Sequence, residues 1–155
     1  MESKVFDILV VGSGPAGLSA AVNGRVRNKS VAMVSGRKNS YKLEKAAVIE
    51  NYLGFESISG SDLADVFFRH AQNKGVEFFD GGLVGIYDMG EYWSALASDQ
   101  QVYQAKTVVL ATGSVQKAAI DGEERLLGMG VSYCATCDGP LYRGKPVAVL
   151  AYNDK

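Results

Sequence analysis

Three glycines in six residues, Gly-Ser-Gly-Pro-Ala-Gly at 12–17, stand between an apolar run at 5–11 and a segment with Leu18, Ala21 and Val22 at helical spacing. This stretch constrains the fold more than any other. The preceding run, VFDILVV, is rich in β-branched residues and lacks strict alternation, as expected of a strand covered on both faces in a parallel sheet. Gly12 is expected to allow the turn off that strand, Gly14 to clear side-chain bulk where a phosphate would lie, and Gly17 to let the helix approach the strand closely. An anion there would meet unpaired backbone N–H groups at the start of the helix. The helical pattern ends at Asn28-Lys29, and SVAMVS at 30–35 reads as a second strand. Strand, glycine turn, helix and strand together predict a dinucleotide-binding α/β fold, with Gly12, Ser13, Gly14, Pro15, Ala16 and Gly17 on the cofactor. NAD sites of this kind place an acid at the end of the second strand to hold the ribose hydroxyls. Here Ser35 and Gly36 occupy that place, so recognition is expected to use the serine, neighbouring backbone and Arg37 or Lys38, which leaves FAD open.

Downstream, residues 36–60 lack periodicity and read as a long loop with a short helix at 43–47; loops of that length are usually functional. Ser61-Asp62 is expected to cap a helix running to Lys74, with Leu63, Val66, Phe67, His70 and Ala71 on one stripe and Gly75 as its stop. The histidine on that stripe reads as a packed residue rather than a ligand. VEFFDG at 76–81 predicts a strand. The alternating segments LVGIYDM, EYWSALA and QVYQAK predict a small antiparallel meander, with turns at Gly90 and Asp99-Gln100. A separate buried strand is expected at 107–111, ending in the small residues Ala111, Thr112 and Gly113. The character of the chain changes after Gly113, and the expected organisation is a first domain at 1–116 and the start of a second at 117–155, whose first strand would be 147–150.

The formal net charge is −1, and no run of like charge marks a nucleic-acid or membrane partner. The N-terminal apolar run is cut by Asp7 and leads into a glycine turn rather than a cleavage site, which predicts a soluble, cytoplasmic protein. The two cysteines, Cys134 and Cys137, lie in YCATCDG. In a reducing compartment a close pair is catalytic or metal-binding more often than structural. Zinc needs four ligands, and the chain offers one C-x-x-C and the remote His70, so no metal is expected within the chain, although a shared zinc site stays open. As a redox pair the spacing closes a small disulfide ring, and Asp138 is placed to manage the proton that moves when the ring opens.

Several segments in order resemble the low-molecular-weight flavin thioredoxin reductases: GSGPAG, IENYLGF at 49–55, VVLATGS at 108–114 and, most specifically, GMGVSYCATCDGPLYRGKPVAV at 128–149. The resemblance implies an α/β fold: a GR2-type, Rossmann-like three-layer FAD domain with an antiparallel meander, followed by the start of a second Rossmann-like domain. It also implies that Asn51, Val84, Ala111, Thr112 and Gly113 face FAD along with the glycine turn, Ser35 and Gly36. Cys134 and Cys137 would exchange electrons with the flavin and then with thioredoxin, Asp138 would be the acid, and the protein would be a homodimer. Relatives of about twice this length complete the FAD domain with a returning C-terminal segment, so the chain is expected to be part of a longer protein. Two departures stand out. RKNSYKLEKA replaces a glycine-rich stretch beside the flavin, and VAVLAYNDK lacks the second glycine fingerprint that would cradle NADPH. The latter resembles the ferredoxin-dependent subgroup; an NADPH-dependent thioredoxin or peroxiredoxin reductase is the alternative, and a non-catalytic dinucleotide-binding or zinc-linked module is the alternative of another class.

Overall fold

The computed structural model describes residues 4–35, 41–114 and 120–150. The chain forms two compact units, Met1–Val115 and Gln116–Lys155.

The first unit is built on a six-stranded sheet. Its elements are β1 (Val5–Val11), α1 (Pro15–Val26), β2 (Val31–Ser35), α2 (Tyr41–Glu44), α3 (Gly60–Asn73), β3 (Glu77–Asp80), β4 (Leu83–Asp88), β5 (Trp93–Ala97) and β6 (Val102–Leu110). The strand order is β3-β2-β1-β6-β5-β4. The first four run parallel, with Leu9 opposite both Ala32 and Val108, whereas β5 and β4 continue the sheet antiparallel. β1 therefore lies between parallel neighbours with a face on each side to cover, which is why its sequence is almost wholly apolar.

The two faces take alternate residues, as the strand period of two requires. Val10, Val31 and Met33 meet Leu18 and Ala21 of α1 and Ala71 of α3 on the helix side. Leu9, Val11, Ala32 and Val34 pack on the other side with Ala95 of β5 and Ala105 of β6. These two alanines are fully buried, and their small size lets the meander lie close to the parallel strands. Phe79 joins the layers there, edge-on to Phe6 at 6.1 Å and tilted against Tyr103 at 4.7 Å between ring centroids. The sheet, the helices and the folded-over meander make the three layers.

Several expectations change in the structure. QVYQAK and the strand at 107–111 are one strand, β6, because residues 104–105 pair with β1 on one side and β5 on the other. α3 is capped by Ser59 rather than Ser61: the Ser59 hydroxyl accepts from Asp62 N–H at 3.1 Å and donates to the Asp62 carboxylate at 2.6 Å. The buried stripe of α3 runs through Leu63, Ala64, Phe67, Phe68 and Ala71, with Phe68 against Phe78 at 4.5 Å, so His70 falls outside it and is exposed. The short helix expected at 43–47 is α2, two residues earlier. Residues 147–150 form no strand, and Val147, Val149 and Leu150 are exposed; a strand needs a neighbour to take its hydrogen bonds, and none of the described residues supplies one.

Two polar groups fix the end of these layers at which α1 leads into β2. Arg25 at the end of α1 donates to the carbonyls of Lys29 at 2.8 Å and Lys74 at 2.9 Å, tying the exits of α1 and α3 together. At the same end of the sheet, one residue on from Lys29, Ser30 donates its N–H and hydroxyl to the Asp7 carboxylate, which also accepts from Lys106, each at 2.9 Å. The Lys106 hydrogen bond first, then those from Ser30, hold this carboxyl well below the usual carboxylate range. A depressed carboxyl stabilises the fold above its unfolded value of about 3.9 and ceases to do so as pH falls through the folded value. The denaturation midpoints of wild type and Asp7→Asn should accordingly differ most at neutral pH and converge as pH drops toward about 2; a constant gap would contradict this role.

Candidate functional site

The glycine turn is where three backbones converge. Gly12 has φ +104°, and a Cβ there would lie 2.4 Å from the carbonyl oxygen of Ala111. Gly12 N–H bonds to Val34 at 2.9 Å, and Ala111 N–H to Val11 at 2.8 Å, so the turn is stitched to β2 while the end of β6 is stitched to β1. Gly17 is buried in the first turns of α1, where a Cβ would lie 2.0 Å from the Gly12 carbonyl oxygen and 3.3 Å from the Ala111 methyl. Gly14 is the N-cap in extended conformation, with Pro15 at the first helical position and no side-chain cap. Pro15 has no N–H and suits that position; the next N–H groups have no carbonyl ahead of them in the helix and are free to meet an anion.

A cleft of about 420 Å³ opens beside this turn. One wall is the carboxyl ends of β1, β2 and β6, with Gly12, Ser35, Leu110 and Thr112; the other is the β3–β4 turn and β4, from Gly81 to Ile86. β2 and β6 flank β1 on opposite sides, so the chain leaves β1 in one direction and returns in the other, and open α/β sheets bind ligands at such a switch point. Ser13 is 4% exposed, and its hydroxyl is 2.8 Å from that of Ser35, which pins the turn to the end of β2. Lys42 of α2 bonds to the Ser114 carbonyl and lies 3.2 Å from its hydroxyl, holding the turn that follows β6.

The cleft gathers Gly12, Ser35, Val84 and Thr112 of the expected cofactor residues, with Ser13, Gly17 and Ala111 supporting the turn. Pro15 and Ala16 are exposed at the head of α1, and Gly113 has φ +71° with open space about it. Asn51 is exposed in the loop closed by the Ile49–Ile58 bridge and does not line the cleft. Gly36, Arg37 and Lys38 lie outside the described residues. Sequence reasoning missed most of the second wall, although Gly81-Gly82 directly after a strand was a signal of close backbone approach.

The second unit carries the cysteines. Cys134 is disulfide-bonded, and no cysteine among the described residues is free; the Cys137 side chain lies outside what is described. α5 (Ala135–Asp138) begins directly after Cys134, and Asp138 N–H donates to the Cys134 carbonyl at 3.0 Å, placing the acid one helical turn on from the sulfur-bearing residue. The Asp138 carboxylate is 2.5 Å from the Ser132 hydroxyl. Just ahead, α4 (Glu123–Leu126) presents Glu123, buried, to the Tyr133 hydroxyl and to Ile120 N–H at 3.1 Å. No group of three or more His, Cys, Asp or Glu among the described residues could hold a metal ion, and no described helix is long and apolar enough to cross a membrane.

Gly17→Ala should destabilise the first unit by about 3 kcal/mol or more, because its Cβ meets backbone that cannot step aside. Gly90→Ala, at φ +86° with nothing within 4 Å, should cost only about 1–2 kcal/mol for its backbone conformation. Paired denaturation curves measure both; equal losses would contradict the packing role of Gly17.

The profile of the pyridine nucleotide-disulphide oxidoreductase family matches residues 6–150. Thioredoxin reductase of Bacillus subtilis is 37% identical over 154 residues, covering 99% of this chain and 48% of that protein. The crystal structure of thioredoxin reductase from Streptococcus pyogenes superposes with a TM-score of 0.81 at 37% identity, covering 89% of this chain and 45% of that one. A ferredoxin-flavin thioredoxin reductase from Clostridium acetobutylicum is 45% identical, with a TM-score of 0.66 over 88% of this chain and 48% of that one. The chain thus spans about half the length of the relatives it matches. With a glycine turn at the sheet's switch point and a disulfide at Cys134 beside an acid, it belongs to the pyridine nucleotide-disulphide oxidoreductase family.

Proposed function

We propose that the protein to which this chain belongs is an FAD-dependent thioredoxin reductase, with FAD in the cleft of residues 1–116 and the redox pair Cys134 and Cys137 in residues 117–155. The observation that carries the reading is the disulfide at Cys134 with Asp138 one helical turn away. The bare backbone of Gly12 and the head of α1 suit a pyrophosphate, and the Ser13–Ser35 pair ends β2 with hydroxyls where a ribose would be held. Bound FAD would supply a two-electron store that can charge a disulfide. The chain's own part is proton and sulfur chemistry. Once the pair is reduced, one thiolate attacks the thioredoxin disulfide, forming a mixed disulfide and releasing a thiolate on the partner. The second cysteine then displaces the remaining partner sulfur, leaving the pair oxidised and thioredoxin with two thiols. Asp138 gives and takes the protons of these steps.

For the donor we favour reduced ferredoxin over NADPH. Two observations support this: Ala151, Tyr152 and Asn153 carry side chains where a second pyrophosphate turn would need glycine, and the 45% identical relative is a ferredoxin-flavin enzyme. In an anaerobic titration of the full-length protein, reduced ferredoxin should bleach the flavin absorbance and NADPH should leave it unchanged; bleaching by NADPH would reverse the donor assignment. Cys134→Ser should retain the flavin spectrum and lower thioredoxin reduction by at least about 1000-fold. Full turnover by that variant would exclude the dithiol mechanism.

A further inference from the structure

The hydroxyl of Ser132 stands between the acid and the backbone of the cysteine. Its oxygen is 2.5 Å from Asp138 Oδ2 and 3.0 Å from the N–H of Cys134. Ser132 donates its proton to Asp138 and accepts from Cys134 N–H with a lone pair. Asp138 in turn donates its own N–H to the Cys134 carbonyl at 3.0 Å. The result is a closed loop of hydrogen bonds: Cys134 N–H to Ser132, Ser132 to the Asp138 side chain, and Asp138 N–H back to Cys134. All three residues are half-buried, where such bonds hold geometry better than at an open surface.

A serine that served only to start α5 would need no more than its contact with Cys134 N–H. The additional bond reaches six residues along the chain to a side chain, the carboxylate of the residue that directly follows Cys137. We infer that Ser132 is a positioning residue for the dithiol step, fixing the Asp138 carboxylate to the backbone of Cys134 so that the acid stays oriented while sulfur–sulfur bonds exchange. This rests on the reading of Cys134, Cys137 and Asp138 as a redox site. A carboxylate released from this tether keeps its charge and its proton capacity but samples several rotamers, so it spends less time in the geometry that proton transfer requires.

The chemistry affected is the resolving step. One cysteine sulfur has bonded to a substrate sulfur, the first substrate thiolate has left, and the second cysteine must lose its proton to displace the other. The cysteine pair ends as a disulfide, the substrate gains the two electrons, and two protons end on substrate thiols or in solvent. Ser132 neither gains nor loses a proton overall.

The test uses the full-length protein, reduced beforehand and mixed anaerobically with the aromatic disulfide 5,5′-dithiobis(2-nitrobenzoate). Release of the second aryl thiolate reports the resolving step without flavin turnover or thioredoxin. Ser132→Ala should slow that release about tenfold, and Ser132→Thr, which retains the hydroxyl, should restore it to within about twofold. Asp138→Asn and the double variant Ser132→Ala/Asp138→Asn should react at the same rate, because the serine acts only through the acid. An unchanged rate in Ser132→Ala, or a double variant slower than Asp138→Asn by the full factor of Ser132→Ala, would overturn the inference. Should Ser132→Ala fail to fold, the threonine variant decides, since loss of rate despite a retained hydroxyl would contradict the tether. A wild-type protein that resolves the aryl disulfide with this dependence yet never reduces thioredoxin would refute the proposed function and leave the role of Ser132 standing.

Discussion

The first unit depends on a backbone contact at which side chains are excluded. The carbonyl ends of β1 and β6 and the first turn of α1 come so close that a single carbon at Gly12 or Gly17 would overlap a peptide oxygen. That closeness sets the rest. It seats α1 low enough for Leu18 and Ala21 to reach Val10, Val31 and Met33, and it leaves the head of the helix open beside the ends of the strands. The same absence of side chains that permits the packing creates the concavity, so stability and binding capacity come from one arrangement.

Legibility in the sequence followed locality. β1, the glycine turn and α1 were readable because each is specified by residues adjacent in the chain: an apolar run, three glycines, then a helical spacing. β6 was not, because its polar residues Gln104 and Lys106 give the first half an alternating pattern and the second half an apolar one, although both belong to one strand serving two neighbours. His70 was misplaced because the stripe of α3 is set by where Phe78 and the sheet lie, which fixes Phe68 rather than His70 as the inward residue. The β4 wall of the cleft could not be foreseen for the same reason: only the tertiary path brings 81–86 opposite Gly12.

The cysteine segment shows the opposite balance. Cys134, Cys137 and Asp138 were evident as a motif, since two thiols and an acid at that spacing have few other uses. The surrounding hydrogen bonds were invisible. Glu123 reaches the Tyr133 hydroxyl over ten residues, and Ser132 reaches Asp138 over six, each pair joining a short helix to a residue outside any helix or strand, where no periodicity applies. Sequence pattern thus proposes the sulfur and carboxyl atoms of the motif, while the three-dimensional structure shows the groups hydrogen-bonded around them.

The central position of β1 also bears on how the molecule is made. Its two parallel partners arrive at very different times: Val31 is opposite Ile8, but Gln104 is opposite Val5, about a hundred residues later. At ribosomal speeds of about 5–20 residues per second, the nascent β1–α1–β2 segment, complete at Ser35, waits on the order of 3–14 s for Gln104 with one edge of an apolar strand unsatisfied. Such long-range pairing is slow and aggregation-exposed, so translation leaves this strand, buried on both sides once folding is complete, with an open edge until β6 emerges.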